Sequence, residues 1–172
     1  PILRPINFPP NLPGRGWLIT NDVLVINLIG RVFMKTYDCP FRAIDQLLGS
    51  IRDKPNIVMV DFHGEATSEK GAMGWYLDGR VSAVVGTHTH VGTIDTQILP
   101  NGTAYVTDLG MVGPSQSVIG DEPQPVIDRF LTQMNHRLSV AQGPVRFSSV
   151  LVDVDNITGK ANAICRIDRQ TD

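Results

Sequence analysis

Of the four histidines in this 172-residue chain, three fall between positions 63 and 90. His88 and His90 stand with only Thr89 between them in VSAVVGTHTHVGT (81–93), and His63 closes the run NIVMVDFH. Neutral imidazole is a common metal ligand. Residues two apart share a face while a chain stays extended, so a strand persisting through Thr89 aims His88 and His90 into one space. Asp61 lies two before His63 on the same face, and Glu65 two after it; each is a candidate to receive a ring N–H and orient a ligand. A lone histidine is more often an ordinary turn residue, so the weight rests on the HxH pair joined by a third histidine. Asp95 and Asp108 are the other nearby carboxylates, and Asp108, at the end of TAYVTDLG, reads as a turn former. His136 has no such company.

The elements that must position these residues follow from hydrophobic period and turn chemistry. Residues 1–15 are proline-rich and read as an extended connector. Gly16–Thr20 and Val23–Ile29 are expected strands joined at Asn21-Asp22. Phe41–Ile51 sets Ile44, Leu47, Leu48 and Ile51 on one helical face, with Pro40 near its start. Asn56–Val60 is a second strand running into Asp61-Phe62-His63. Thr67 or Ser68 caps a helix to about Leu77, with Glu69 complementing its dipole. The central strand, Val81–Val85, stops at Gly86 and presents the histidines. This strand–helix alternation predicts βαβ units and a largely parallel sheet, whose C-terminal strand ends are where ligands bind.

Beyond residue 95 the pattern turns antiparallel. Thr96–Leu99 and Thr103–Thr107 flank Pro100-Asn101-Gly102, an Asn-Gly signal for a type I′ hairpin. Gly110–Asp121 reads as a loop and Pro125–Gln133 as a helix. Phe147–Val154 and Ala161–Ile167 read as strands around a turn.

Composition sets limits. Hydrophobic residues at 42% and charged residues at 19% suit one globular domain rather than a disordered chain. The net charge is −2 and the basic residues are scattered, so no nucleic-acid patch and no anionic-membrane surface is expected. Cys39 and Cys165, far apart and outside any CxxC, are expected as buried thiols of a reduced cytosolic protein. No stretch approaches the roughly 18 apolar residues of a spanning helix, and no signal-peptide pattern precedes the first strand, which predicts a cytoplasmic protein. GxSxG, Walker and GxGxxG motifs are absent. The chain opens at Pro1 rather than Met, as a processed, trimmed or partial chain would.

DFHGEATSEKGAMGWYLDGRVSAVVGTHTHVGT (61–93) and ILPNGTAYVTDLGMVGP (98–114), with RPINFP (4–9), NLIGRVF (27–33) and DCPF (38–41), resemble the YmdB-type bacterial metallophosphoesterases of the calcineurin-like superfamily, which includes cyclic-nucleotide phosphodiesterases. Gly64 departs from the family's usual alanine and is expected only to loosen its loop. The resemblance implies an α/β fold, part of a calcineurin-like α-β-β-α sandwich with a parallel or mixed sheet first and antiparallel strands toward the C-terminus. It further implies that 1–172 is a single metallophosphoesterase domain incomplete at its N-terminus, because the family's GDxxG, GEN and GNH segments are absent. Residues 23–90 should then expose an edge and an apolar surface.

By the same resemblance, His63 and His88 ligate one metal and His90 the other, with Asp61 and Glu65 as supporting groups. The cofactors implied are two divalent or trivalent transition-metal ions, iron or manganese before zinc. The proton-donor histidine belongs to the absent segment, so no catalytic residue is assigned here. The implied reaction is two-metal hydrolysis of a phosphodiester small molecule such as a cyclic nucleotide, weak or silent in the isolated chain. A homo-oligomer or a complementing N-terminal segment is the implied partner. Two other readings stay open: a relative of the poly-γ-glutamate capsule-synthesis metallophosphatases, and a non-catalytic truncated module for binding or oligomerisation.

Overall fold

The computed structural model describes residues 2–171. A six-stranded mixed sheet forms its centre, in the order β1-β2-β3-β4-β6-β5. These strands are β1 (Trp17–Thr20), β2 (Val23–Ile29), β3 (Ile57–His63), β4 (Ala83–Thr87), β5 (Gln97–Ile98) and β6 (Ala104–Val106). β2, β3, β4 and β6 run parallel, while β1 and β5 are antiparallel edges. The helices α1 (Pro40–Ser50) and α2 (Thr67–Leu77) make the two crossovers. Both cover the same face, where Ile44, Met73 and Leu77 bury Leu24, Ile26, Val58, Val60 and Phe62. The alternation along β2 and β3 produces this core: every second residue is buried against the helices.

The opposite face carries Met59, Asp61 and His63 on β3. Against part of it packs an antiparallel pair, β9 (Val150–Val154) with β10 (Ala161–Arg166), through Ala161, Val152 and Ile164. A second small sheet joins β7 (Val112–Pro114), β8 (Val145–Phe147) and β11 (Arg169–Gln170) in the order β11-β8-β7. The α/β class with antiparallel strands toward the C-terminus is thus observed. An apolar cleft of about 590 Å³ stays open between Val23, Ile57, Met59 and Val85 and the β9 valines.

Several elements differ from the sequence reading. The central strand lies two residues later than Val81–Val85, because Gly86 is inside it: a side chain there would strike the Thr107 carbonyl, so only glycine lets the chains approach. Neither Thr67 nor Ser68 caps α2. Ala66 is the cap residue; Glu69 lies in the first turn as expected and also accepts from the backbone N–H groups of Arg31 (3.0 Å) and Val32 (3.1 Å). The 96–107 hairpin forms, but Asn101 lacks the positive φ of a type I′ turn. Gly102 alone adopts it (φ 101°), with its N–H on the Leu99 carbonyl.

Phe147–Val154 is two strands in two sheets. Ser148 and Ser149 bond to Met111, Asp168 and Ile167 and turn the chain between them. The 110–121 loop contains β7, and the helix predicted over 125–133 is α3 (Pro123–Thr132). Cys39 is half-buried and Cys165 exposed, so the two buried thiols are not found. The Asn7 side chain bonds Ile29 at both its N–H and carbonyl and also the Asp38 carbonyl. One buried amide thereby draws together RPINFP, NLIGRVF and DCPF.

Candidate metal-binding site

Parallel pairing of β2, β3 and β4 sets a row of polar side chains at their C-terminal ends. The register places Asn27 beside Asp61 and His63 beside Thr87. Asp61 receives the Asn27 amide (2.7 Å) on one carboxylate oxygen and the Thr87 hydroxyl (2.8 Å) on the other. With its hydrogen committed to Asp61, the Thr87 oxygen accepts from His63 Nδ1 at 3.1 Å. This leaves Nε2 of His63 as a lone pair. Burial, reinforced by the charges of His88 and Lys70, holds His63 below the usual imidazole range and favours that neutral form. Burial also raises the Asp61 carboxyl, against the opposing bonds from Thr87 and Asn27.

His63 Nε2 faces His88 Nδ1 at 3.0 Å, and His88 Nε2 lies 3.0 Å from Glu65 Oε2. The rings meet edge to face, with centroids 4.7 Å apart. Two imidazole nitrogens thus face each other, with Glu65 on the far side of the His88 ring. The facing nitrogens also suit a shared ion, since two ligands at ~2.1 Å from one cation sit about 3.0–3.4 Å apart in octahedral or tetrahedral geometry. Among the described residues no group of three or more His, Cys, Asp or Glu side chains converges as a complete ligand set.

The expected pairing of His88 with His90 is not what forms. The extended conformation ends at Thr87; His88 has φ 115° and His90 φ 65°, so alternation across a strand no longer applies. His88 turns toward His63, whereas His90 turns away and donates from Nδ1 to the Ile119 carbonyl at 2.7 Å, leaving Nε2 outward. Two left-handed residues flanking Thr89 are strained. The loop is held by Asp108, which accepts from the Thr89 N–H (3.0 Å), the Thr89 hydroxyl (2.8 Å) and the Gly110 N–H (2.8 Å). Lys70 completes the set at 2.7 Å, and both charged side chains are 1% exposed. Burial by itself would raise the Asp108 carboxyl, but Lys70 and the loop donors outweigh it and hold the group below its ordinary value.

Glu65 therefore contacts His88 directly and Asp61 reaches His63 through Thr87. Asp95 lies apart, bonded to Thr107, and His136 is exposed, bonded to Thr132. Thr87, Asn27, Lys70, Asp108 and the Ile119 carbonyl were not anticipated in these roles. Period-two spacing from Thr87 to Val85 was a usable signal for the first. Lys70 stands three and seven residues before Met73 and Leu77, inside the buried stripe of α2, which marks it as a lysine needing a partner. Nothing local marks Ile119.

A family model described as YmdB-like protein matches residues 1–167. The chain is 48% identical over 170 residues to a Bacillus subtilis protein named 2',3'-cyclic-nucleotide 2'-phosphodiesterase, covering 96% of this chain and 64% of that one. It is 34% identical over 171 residues to a Mycoplasma pneumoniae protein named putative phosphatase/phosphodiesterase, covering 92% and 60%. The chain thus spans 64% and 60% of these curated relatives. A crystal structure of a hypothetical protein from Thermus thermophilus superposes with a TM-score of 0.92 at 44% identity, over 99% of this chain and 68% of the other. One described as a novel phosphatase, from Mycoplasma pneumoniae, gives 0.89 at 33%, over 98% and 63%. By sequence and by fold, the chain belongs to the YmdB-like protein family.

Proposed function

We propose that this chain forms the histidine side of a metal-dependent phosphodiesterase that hydrolyses cyclic nucleotides or related phosphodiesters. The observation that carries the reading is the pair of facing nitrogens, His63 Nε2 and His88 Nδ1, at the C-terminal edge of a parallel sheet. The names of the relatives, a 2',3'-cyclic-nucleotide 2'-phosphodiesterase and a putative phosphatase/phosphodiesterase, support it.

In this reading His63 and His88 hold one transition-metal ion and His90 contributes to a second, with iron or manganese favoured over zinc. Two such ions, when bound, supply a nucleophilic hydroxide and neutralise phosphoryl oxygens. Asp61, through Thr87, fixes the His63 tautomer, and Glu65 orients His88. Two imidazoles are fewer than the three protein ligands of a catalytic zinc site. The proposal therefore includes further ligands and a proton donor from a complementing segment or a second copy, with 1–172 acting as one domain. Among the described residues no helix is long and apolar enough to cross a membrane. An exposed free thiol at Cys165 supports a reducing, cytoplasmic setting.

The test pairs metal analysis with hydrolysis of 2',3'-cyclic AMP. His88→Ala is expected to lower metal content and abolish turnover in the chain supplied with its complementing segment or second copy, and the 172-residue chain by itself should hydrolyse slowly or not at all. Cyclic-nucleotide hydrolysis that survives His88→Ala would sink the reading.

A further inference from the structure

A cleft of about 830 Å³ opens beside His90, bounded by the 90–94 loop, the 115–119 loop and the β8–β11 edge. Its volume is within the ~300–1,000 Å³ typical of small-molecule sites. Three arginines line it, Arg146, Arg166 and Arg169, with Ser115, Ser117 and Ser148. The arginines are not equivalent. Arg166 is structural: its guanidinium donates to the Thr93 carbonyl (3.1 Å), the Leu109 carbonyl (2.7 Å) and both oxygens of Asp168. That bidentate pair, with the Ser149 N–H at 3.1 Å, satisfies the cleft's carboxylate. Arg166 chiefly, with the Arg146 charge a smaller influence, holds the Asp168 carboxyl below its usual range.

Arg146 differs. It sits at the middle of β8 with Gly113 and Gln170 as its cross-strand neighbours, so the residue to one side carries no bulk. Among the described residues its guanidinium has no hydrogen-bond or ion-pair partner. Arg169 uses one N–H on the Asp168 carbonyl at 3.2 Å, and the rest of its fork is uncommitted. Ser115 and Ser117 commit their hydroxyl hydrogens to the Pro144 and Pro114 carbonyls, so the donors on offer are the guanidinium N–H groups, and such a fork in a concave site is the arrangement that recognises phosphate.

We infer that this cleft is an anion subsite in which Arg146, assisted by Arg169, binds a second phosphate of the substrate, beyond the one presented to the histidines. The inference rests on the phosphodiesterase reading for the identity of the substrate, since His90, which that reading assigns to the second metal, lines the cleft. The preferred substrate is then a nucleotide phosphorylated on its 5' side. That phosphate has two sources: a terminal 5'-phosphate, or the internucleotide phosphate of an oligonucleotide ending in a cyclic phosphate. Arg146 is a specificity-determining residue here, with no part in bond cleavage.

The test is equilibrium binding of adenosine 3'-monophosphate and adenosine 3',5'-bisphosphate, alongside hydrolysis of 2',3'-cyclic AMP by the same metal-loaded protein. The bisphosphate is expected to bind at least tenfold tighter, with an advantage that shrinks as salt is raised. Arg146→Ala should erase the advantage and Arg146→Lys restore part of it, circular dichroism showing both folded. A 3'-phosphorylated adenylyl dinucleotide separates the sources: tight binding assigns the internucleotide phosphate, and weak binding beside a tight bisphosphate assigns the terminal one. Equal affinity for the two mononucleotides, or an advantage that survives Arg146→Ala, overturns the inference. A tenfold preference beside cyclic-nucleotide hydrolysis that survives His88→Ala keeps the subsite and overturns the phosphodiesterase reading instead.

Discussion

Lys70 and Asp108 illustrate how residues behind the histidine loop can shape it. Their ion pair is almost wholly buried, and its carboxylate also grips Thr89 between two strained histidines. Removing one member leaves the other charge unpaired in the interior, a loss on the order of 3–5 kcal/mol. Asp108→Asn is therefore expected to lower the urea midpoint sharply and to speed amide exchange at Thr89. Lys70→Met combined with Asp108→Asn should recover part of the stability but not the Thr89 protection; full recovery of both would mean the pair does not organise the loop. Thr87 acts on a smaller scale. Thr87→Val removes the link from Asp61 to His63 and should weaken metal binding by about 10–100-fold, read by titration against a chelator, with little change in fold.

At the level of elements, close approach decides what each strand and helix can carry. Gly74 on α2 lies against the Tyr105 ring, where an added Cβ would stand 2.5 Å from a ring carbon. Gly74→Ala should cost about 1–3 kcal/mol by overpacking, measured by chemical denaturation. Gly64 is the opposite case: a Cβ there meets nothing nearer than 3.7 Å, and its φ is not positive. Gly64→Ala, the family's usual residue, should be tolerated and add ~0.4–1 kcal/mol by restricting the unfolded chain. A drop in stability would show that the loop after β3 needs glycine.

The βαβ alternation was legible because β2, β3 and α1 each declare one apolar face, while α2, which exposes Trp75 and Tyr76 and buries Lys70, was marked by the residues at its two ends. Strand ends were less so. β4 runs on through Gly86 because of a neighbour, Thr107, that no local pattern reveals.

For the molecule as a whole, the buried charges set the response to acid. The Asp108 carboxyl is held below its unfolded value of about 3.9. A depressed carboxylate contributes stability that is complete above the unfolded value and is lost as pH falls through the folded one. Acid titration should therefore show a loss of stability below about pH 4 that is smaller in Asp108→Asn, once that variant's lower baseline is taken into account. An identical acid limb in both proteins would assign acid sensitivity to other groups.

The amino-acid sequence by itself determined which chemistry is on offer, three histidines with Asp61 and Glu65 placed after short apolar strands, and which family resemblance those residues carry. Residue type and period-two or 3.6-residue spacing are local properties, so they survive in one dimension. Only the tertiary structure decided the pairing. His88 meets His63 across two parallel strands rather than His90 across one residue, because strand β4 ends at Thr87 and a buried Lys70–Asp108 pair holds the following turn in left-handed backbone. That arrangement depends on contacts 19 to 38 residues apart in sequence, and contacts at such separations leave no periodic trace in the chain.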